Sequence, residues 1–251
     1  DPFRVMLREL HDADVVESTA LLNALSSCEC SVPSADDSRP IVHVVYKNEE
    51  VARLNALHAN KAGNPVVVFE AREIKLDTYS SLSVDETKKD VSLDDSFQLS
   101  ISLAVGDQII MTKTVECKNR LDRGKPITIE RGQVGIVKEF SFSVSRTKVP
   151  VIEFGSAVEC RIMETRHWSN HTGYEALPLK LGYACTCHFT QGLTFPRERI
   201  CFHIEPSLKE KGVVYVVSSR VCNIDQLHYK LTGTNSFPIQ CVKSPLNALG
   251  I

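Results

Sequence analysis

The 251-residue sequence predicts an α/β domain with a parallel sheet, interrupted by a β-rich insertion. Three observations lead there. IVHVVY at 41–46 and RICFHIE at 199–205 are near-continuous β-prone runs, as expected of strands buried on both faces. Helix-like stretches, NEEVARLN and GVVYVVSSRV, stand next to such strands, which is the alternation of an α/β layer. From residue 99 to about 162 the character changes to short β-rich runs separated by Gly, Pro and charged turns, the pattern of a small barrel or sandwich.

In chain order, Phe3, Met6, Leu7, Leu10, Val15, Leu21, Leu22 and Leu25 are spaced for one or two short helices. Residues 26–39, rich in Ser, Asp and Pro, read as a linker. After the strand at 41–46, Asn48 is a plausible N-cap for a helix bearing Val51, Leu54, Asn55 and Leu57. VVVFEA at 66–71 then completes strand–helix–strand. Residues 77–97 are polar and acidic, with a helix expected around Val84–Lys89. LSISLAVGDQIIMTKTV, ITIERGQVGIVKEFSFSV and VPVIEFGSAVECRIM supply the strands of the insertion, and Glu164 to Glu175 reads as a polar loop holding the sole tryptophan, Trp168. The α/β pattern returns at Leu177 with a strand LPLKLGYACT, a helix near 188–193, the strand RICFHIE, the helix-like GVVYVVSSRV and a strand LHYKLTG.

Composition is that of an ordinary globular chain, with 43% hydrophobic and 24% charged residues. Twenty-nine basic against thirty-one acidic side chains give a net charge of −2, so any cationic surface must be local. The nine cysteines are odd in number and irregular in spacing, which favours free, mostly buried thiols in a reducing compartment over a disulfide framework. Cys185, Cys187 and His188 lack a fourth ligand at sensible spacing, so no metal site is expected. No run approaches the roughly 18 apolar residues of a membrane span, and the N-terminus lacks a secretory signal, so an intracellular protein is expected. The chain starts on Asp1, in keeping with a piece of something longer.

The most specific stretches are YACTCHFTQGLTF at 183–195 and VYVVSSRV at 214–221, in that order. Together with IVHVVYKNEEVARLN, LAVGDQIIMTK and the turn RGQVG, they resemble the C-terminal half of a RecD-like superfamily 1 DNA helicase, most similar to the petite-integration-frequency (PIF) family. The resemblance runs from roughly residue 1 to residue 235. It implies a RecA-like second motor domain (36–98 and 176–251), a Src-homology-3-like β-barrel inserted at 99–175, and a helical segment and linker at 1–35 left from the preceding motor domain.

That resemblance implies ATP hydrolysis at a cleft shared with an N-terminal RecA-like domain, and travel along single-stranded DNA in the 5′-to-3′ direction. Arg220 would be the finger that meets the γ-phosphate, a task for a planar, permanently charged, two-donor fork. Gln191 and Gly192 would approach the phosphate or the magnesium-bound water; glycine lets backbone come close and a Gln side chain both donates and accepts. Thr186 and His188, at the carboxyl end of a strand, would lie near DNA, as would Lys47 and Asn48; for Asn48 a plain helix-cap role stands equally. In the insertion, Lys113 leads a set of basic residues that would track phosphates, or else form a solvated hairpin. Trp168 would stack on a base or cover the barrel.

The departures are Phe189 in place of the family's lysine, Val217 and Ser218 in place of Ala and Leu, and Arg131 in place of Asn. No G-x-x-x-x-G-K-[ST] phosphate loop is present, so the chain alone is expected to be inactive, with ATP and Mg held mainly by the missing half. Replication, repair or recombination would be the setting, inside the cell, and in the nucleus or mitochondrion if the source is a cellular eukaryote. The alternative is a degenerate, non-catalytic scaffold that binds nucleic acid or protein.

Overall fold

The computed structural model describes residues 39–74, 97–143, 146–155, 157–169, 172–204 and 212–231, together with Arg4 and Leu7 in helical conformation. The expected helices over 3–25, the linker at 26–39 and the helix around Val84–Lys89 otherwise fall outside the described residues. In order the elements are β1 (Ile41–Val45), α1 (Asn48–His58), β2 (Val66–Glu70), β3 (Arg72–Ile74), β4 (Ser100–Ala104), β5 (Gln108–Met111), β6 (Val115–Asn119) and β7 (Lys125–Ile129). There follow β8 (Val134–Phe142), β9 (Lys148–Phe154), β10 (Val158–Arg161), β11 (Thr165–Ser169), β12 (Thr172–Ala176), β13 (Leu179–Leu181), β14 (Ala184–Thr186), β15 (Arg199–Ile204), α2 (Val213–Ser218) and β16 (Leu227–Leu231). The chain divides into two compact units, Asp1–Leu57 with Tyr183–Ile251, and His58–Gly182.

The first unit is built on a four-stranded parallel sheet in the order β14-β1-β15-β16. Its inner strands are buried: every residue of β15, including Arg199 and His203, is covered, and Val42 and Val44 of β1 are fully so. Helix α1 lays Leu54 and Val51 against Val45 and Ala184. Asn55, at the end of the quoted α1 motif, holds edge strand β14 by both polar groups of its amide. Its Nδ2 donates to the Ala184 carbonyl (3.3 Å) and its Oδ1 accepts from the Ala184 N–H (2.9 Å). The backbone groups of a short edge strand are thus satisfied by a side chain.

The second unit holds a seven-stranded antiparallel sheet, β13-β5-β8-β9-β10-β6-β7, curled into a half-barrel over a core that includes Leu103, Ile109, Met111, Ile129, Ile152 and Leu179. Asp107 of the VGDQ segment is a buried turn former: its carboxylate accepts from the N–H groups of Ala104 (2.7 Å) and Asn60 (2.6 Å).

Four sequence expectations are corrected. VVVFEA is not a second strand of the parallel sheet; β2 pairs antiparallel with β4. A short β-branched run is compatible with either partner, and periodicity carries no information on pairing. LPLKLGYACT is two strands, β13 in the antiparallel sheet and β14 in the parallel one, parted at Gly182. A Cβ on Gly182 would lie 2.5 Å from the Ile109 carbonyl carbon, so the close approach requires glycine. The polar loop at 164–175 contains a hairpin, β11–β12, with β3 as third strand. Finally, residues 188–193 form successive turns rather than a helix.

Candidate nucleotide and nucleic-acid site

The strands of a parallel sheet end on one side, and loops there are where such sheets hold ligands. Two of these loops lie side by side because Val45 of β1 is the register partner of Thr186 of β14. The pairing continues one residue further, with the Cys187 N–H donating to the Val45 carbonyl (2.9 Å). Past it, Tyr46 and His188 face each other with ring centroids 5.7 Å apart. Tyr46, Lys47, Asn48 and His188 are all exposed, so four of the residues beyond these strand ends line one surface. The first helical bond runs from the Val51 N–H to the Lys47 carbonyl, which puts Lys47, not Asn48, at the N-cap and Asn48 in the first helical turn.

The 186–193 loop is held from within. The Thr186 hydroxyl accepts from the Phe189 N–H (3.2 Å), and the Thr190 hydroxyl donates to the Cys187 carbonyl (2.7 Å). Both threonines are buried. Thr186 therefore shapes the loop rather than presenting its hydroxyl at the surface. Phe189, in the position of the family's lysine, is also buried, and its ring packs inward. At the outer end Gln191 and Gly192 are exposed, and Gly192 has φ 75°, a left-handed conformation that glycine adopts without strain.

Arg220 meets this loop. It follows α2, and its carbonyl accepts from the Phe195 N–H (2.7 Å) beside an isolated parallel bridge between Phe195 and Val221. Its guanidinium reaches back: Nη1 donates to the Leu193 carbonyl (3.3 Å), Nε to the Val216 carbonyl (2.8 Å) and Nη2 to the Ser219 hydroxyl (2.7 Å). The side chain is half-buried and directly adjoins the residue after Gly192.

Gln226 was not singled out in the sequence, yet its buried amide fixes this corner. Its Nε2 donates to the carbonyls of Phe195 (3.0 Å) and Glu198 (2.9 Å), and its Oε1 accepts from the N–H groups of Cys222 (3.0 Å) and Asn223 (2.9 Å). All the amide's capacity in these directions is used. The Asn223-x-x-Gln226 spacing is that of a capping box, which accounts for the bond to the Asn223 N–H; the grip on Phe195 and Glu198 gives no signal in one dimension.

The departure at Ser218 is also resolved. Its hydroxyl donates to the Val214 carbonyl (2.6 Å), which leaves the Tyr229 hydroxyl to donate to it. Both side chains are fully buried. Ser218→Ala removes these two buried hydrogen bonds and is expected to cost about 1–3 kcal/mol, read as a lower urea midpoint.

Lys113 belongs to the other unit, where its ammonium donates to the Arg166 carbonyl (2.9 Å) and burial pushes its pKa down. It sits near His167, whose pKa is lowered to about 4, first by burial and then by the Lys113 charge. The His167 ring lies 4.7 Å from that of Phe97, and its Nε2 lies 3.1 Å from the Thr165 hydroxyl. A histidine depressed on folding contributes stability above its unfolded pKa of about 6.5, lost as pH falls towards 4. The melting temperature is therefore expected to drop between pH 6.5 and 4 more steeply than in His167→Phe. The Trp168 side chain lies outside the described residues, and among those described no helix is long and apolar enough to cross a membrane.

The parallel sheet, its two apposed loops and the arginine turn define the architecture of a RecA-like α/β domain carrying an antiparallel insertion. No family model and no curated protein matches the chain. Solved structures do. The chain is similar to Pif1 helicase from Candida albicans (TM-score 0.64, 17% identity, 92% of this chain and 53% of that one). It is similar to unliganded Pif1 from Bacteroides sp (TM-score 0.62, 18% identity, 93% and 50%), and to the Bacteroides Pif1 complex with ADP-AlF3 and ssDNA (TM-score 0.60, 16% identity, 99% and 52%). The chain thus has a Pif1-helicase-like fold and spans about half the length of these proteins.

Proposed function

We propose that the chain is the C-terminal motor half of an ATP-dependent DNA helicase. It would supply the second RecA-like domain, an inserted Src-homology-3-like barrel of which the curled sheet is the body, and an arginine finger. The observation that carries the reading is the junction of Arg220 with the loop bearing Gln191 and Gly192, on a fold like that of Pif1 helicases. ATP would lie between this face and an N-terminal RecA-like domain of the same protein. The sequence holds no Gly-Lys-Ser/Thr, and residues 186–193 include no carboxylate, so that other half would hold the phosphates and magnesium. Magnesium, when bound there, would neutralise charge on the β- and γ-phosphates.

The work of this chain is then positional and electrostatic. Arg220 would turn its Nη donors from the Leu193 carbonyl to γ-phosphate oxygens as charge redistributes. Gln191 would orient the attacking water, and Gly192 would let backbone approach the phosphate. Lys47, Asn48 and His188, exposed around Tyr46, would form part of the single-stranded DNA track, shaped by Thr186 from beneath; Lys113, in the insertion, would meet a phosphate on its own unit. Movement 5′-to-3′ and a role in replication, repair or recombination inside the cell, in the nucleus or mitochondrion of a eukaryote, complete the reading.

A second reading, a non-catalytic scaffold, is favoured by one observation: the Arg220 donors are spent on Val216, Ser219 and Leu193. ATP turnover with single-stranded DNA separates the two. The motor reading expects negligible turnover from this chain alone and DNA-stimulated turnover once the preceding half is joined. Absence of stimulation in the joined protein would leave the scaffold standing.

A further inference from the structure

His43 on β1 and Cys201 on β15 are register partners, so their side chains leave the sheet on the same face, and His203, two residues on, joins them. The same face carries Val45, which packs on Leu54 of α1. The Nδ1 of His43 and Nε2 of His203 are 2.9 Å apart, with rings nearly perpendicular at 82°. Ligand atoms of all three residues lie within 4.8 Å of one another. Cys201 and His203 are buried and His43 half-buried.

We propose that His43, Cys201 and His203 form a binding site for a divalent zinc-class ion. Two imidazoles and a thiolate are the donor set such a borderline-soft ion prefers. Zn–N bonds of about 2.0–2.1 Å in a tetrahedron set the two nitrogens roughly 3.3 Å apart, so the imidazole pair opens by only about 0.4 Å to admit the ion. On binding, the proton shared between the rings moves to a ring nitrogen facing away. The Cys201 thiol gives its proton to solvent, and both imidazoles present lone pairs. Three protein ligands leave a fourth position for water. The ligands come from two adjacent strands and are not remote loops, so binding clamps β1 to β15 at the centre of the sheet.

Cobalt(II) tests this by spectroscopy. The full chain, stripped with chelator, is titrated with Co2+ and then Zn2+. One equivalent of Co2+ should give tetrahedral d–d bands with a thiolate-to-cobalt charge-transfer band, and Zn2+ should bleach both. Cys201→Ser should abolish the charge-transfer band, and His43→Gln should weaken Co2+ binding at least tenfold, while Cys185→Ser with Cys187→Ser should leave the spectrum unchanged. Circular dichroism checks that each variant is folded. A wild-type chain with no charge-transfer band at equimolar Co2+, or a band that survives in folded Cys201→Ser, overturns the site. The former outcome reads on the unmutated protein, so it holds whether or not a variant folds.

Discussion

Replacing Arg220 by alanine, in a protein that also carries the preceding motor half, is expected to lower single-stranded-DNA-stimulated ATP turnover by about 10³-fold or more, the range of arginine fingers. Arg220→Lys should recover little, because an ammonium has the charge without the planar fork. The arginine also bonds the Val216 and Leu193 carbonyls, so some loss of stability is expected as well. The two effects part cleanly. Melting temperature reports the contribution of the carbonyl bonds, whereas turnover measured well below it reports transition-state charge. Unchanged turnover in a folded Arg220→Ala protein would refute the finger assignment and favour the scaffold.

The second large effect is expected at Gly182→Ala. The added carbon would meet the Ile109 carbonyl carbon at 2.5 Å, its oxygen at 2.7 Å and the Ile110 nitrogen at 2.8 Å. These are backbone atoms and have no rotamer to escape into. The strand they belong to is also tied to the glycine, since the Gly182 N–H donates to the Gln108 carbonyl (2.8 Å) and the Gln108 amide donates to the Gly182 carbonyl (2.7 Å). Overpacking typically costs about 1–3 kcal/mol, and the upper end is expected here. The urea midpoint of the antiparallel unit should fall accordingly; a midpoint equal to wild type would show that β5 gives way freely.

Much of the parallel sheet was legible in one dimension, because parallel strands buried on both faces read as near-continuous apolar runs. IVHVVY, RICFHIE and the helix beginning at VVYVVS could be located without knowing their partners. Pairing was not legible. VVVFEA reads like any buried strand, yet its neighbour is β4, and no local pattern distinguishes that from a place beside β1. Residues 188–193 have the spacing of a helix because helical turns and consecutive turns share it; Gly192 at φ 75° is what closes the turns. The positions of Arg220, Gln191 and Gly192 were readable as motif, and their meeting at Leu193 follows from two hydrogen-bonded loops far apart in sequence. The His43, Cys201 and His203 group left no trace, since it depends on residues brought together by strand register, and the reach of Gln226 to Phe195 and Glu198 depends on a contact between segments separated in sequence. Phe189, a departure from the family's lysine in one dimension, is part of the buried interior.

The corner where Arg220 meets the 193–198 segment has a mechanical consequence. The Phe195 N–H is fastened to the Arg220 carbonyl, and the Gln226 amide grips Phe195 and Glu198 on one side and Cys222 and Asn223 on the other. One side chain thus closes both sides of the joint, so Gln226→Leu would leave two carbonyls and two N–H groups to find other partners at once, and residues 195–198 would lose their fastening to residues 222–223 in a single step.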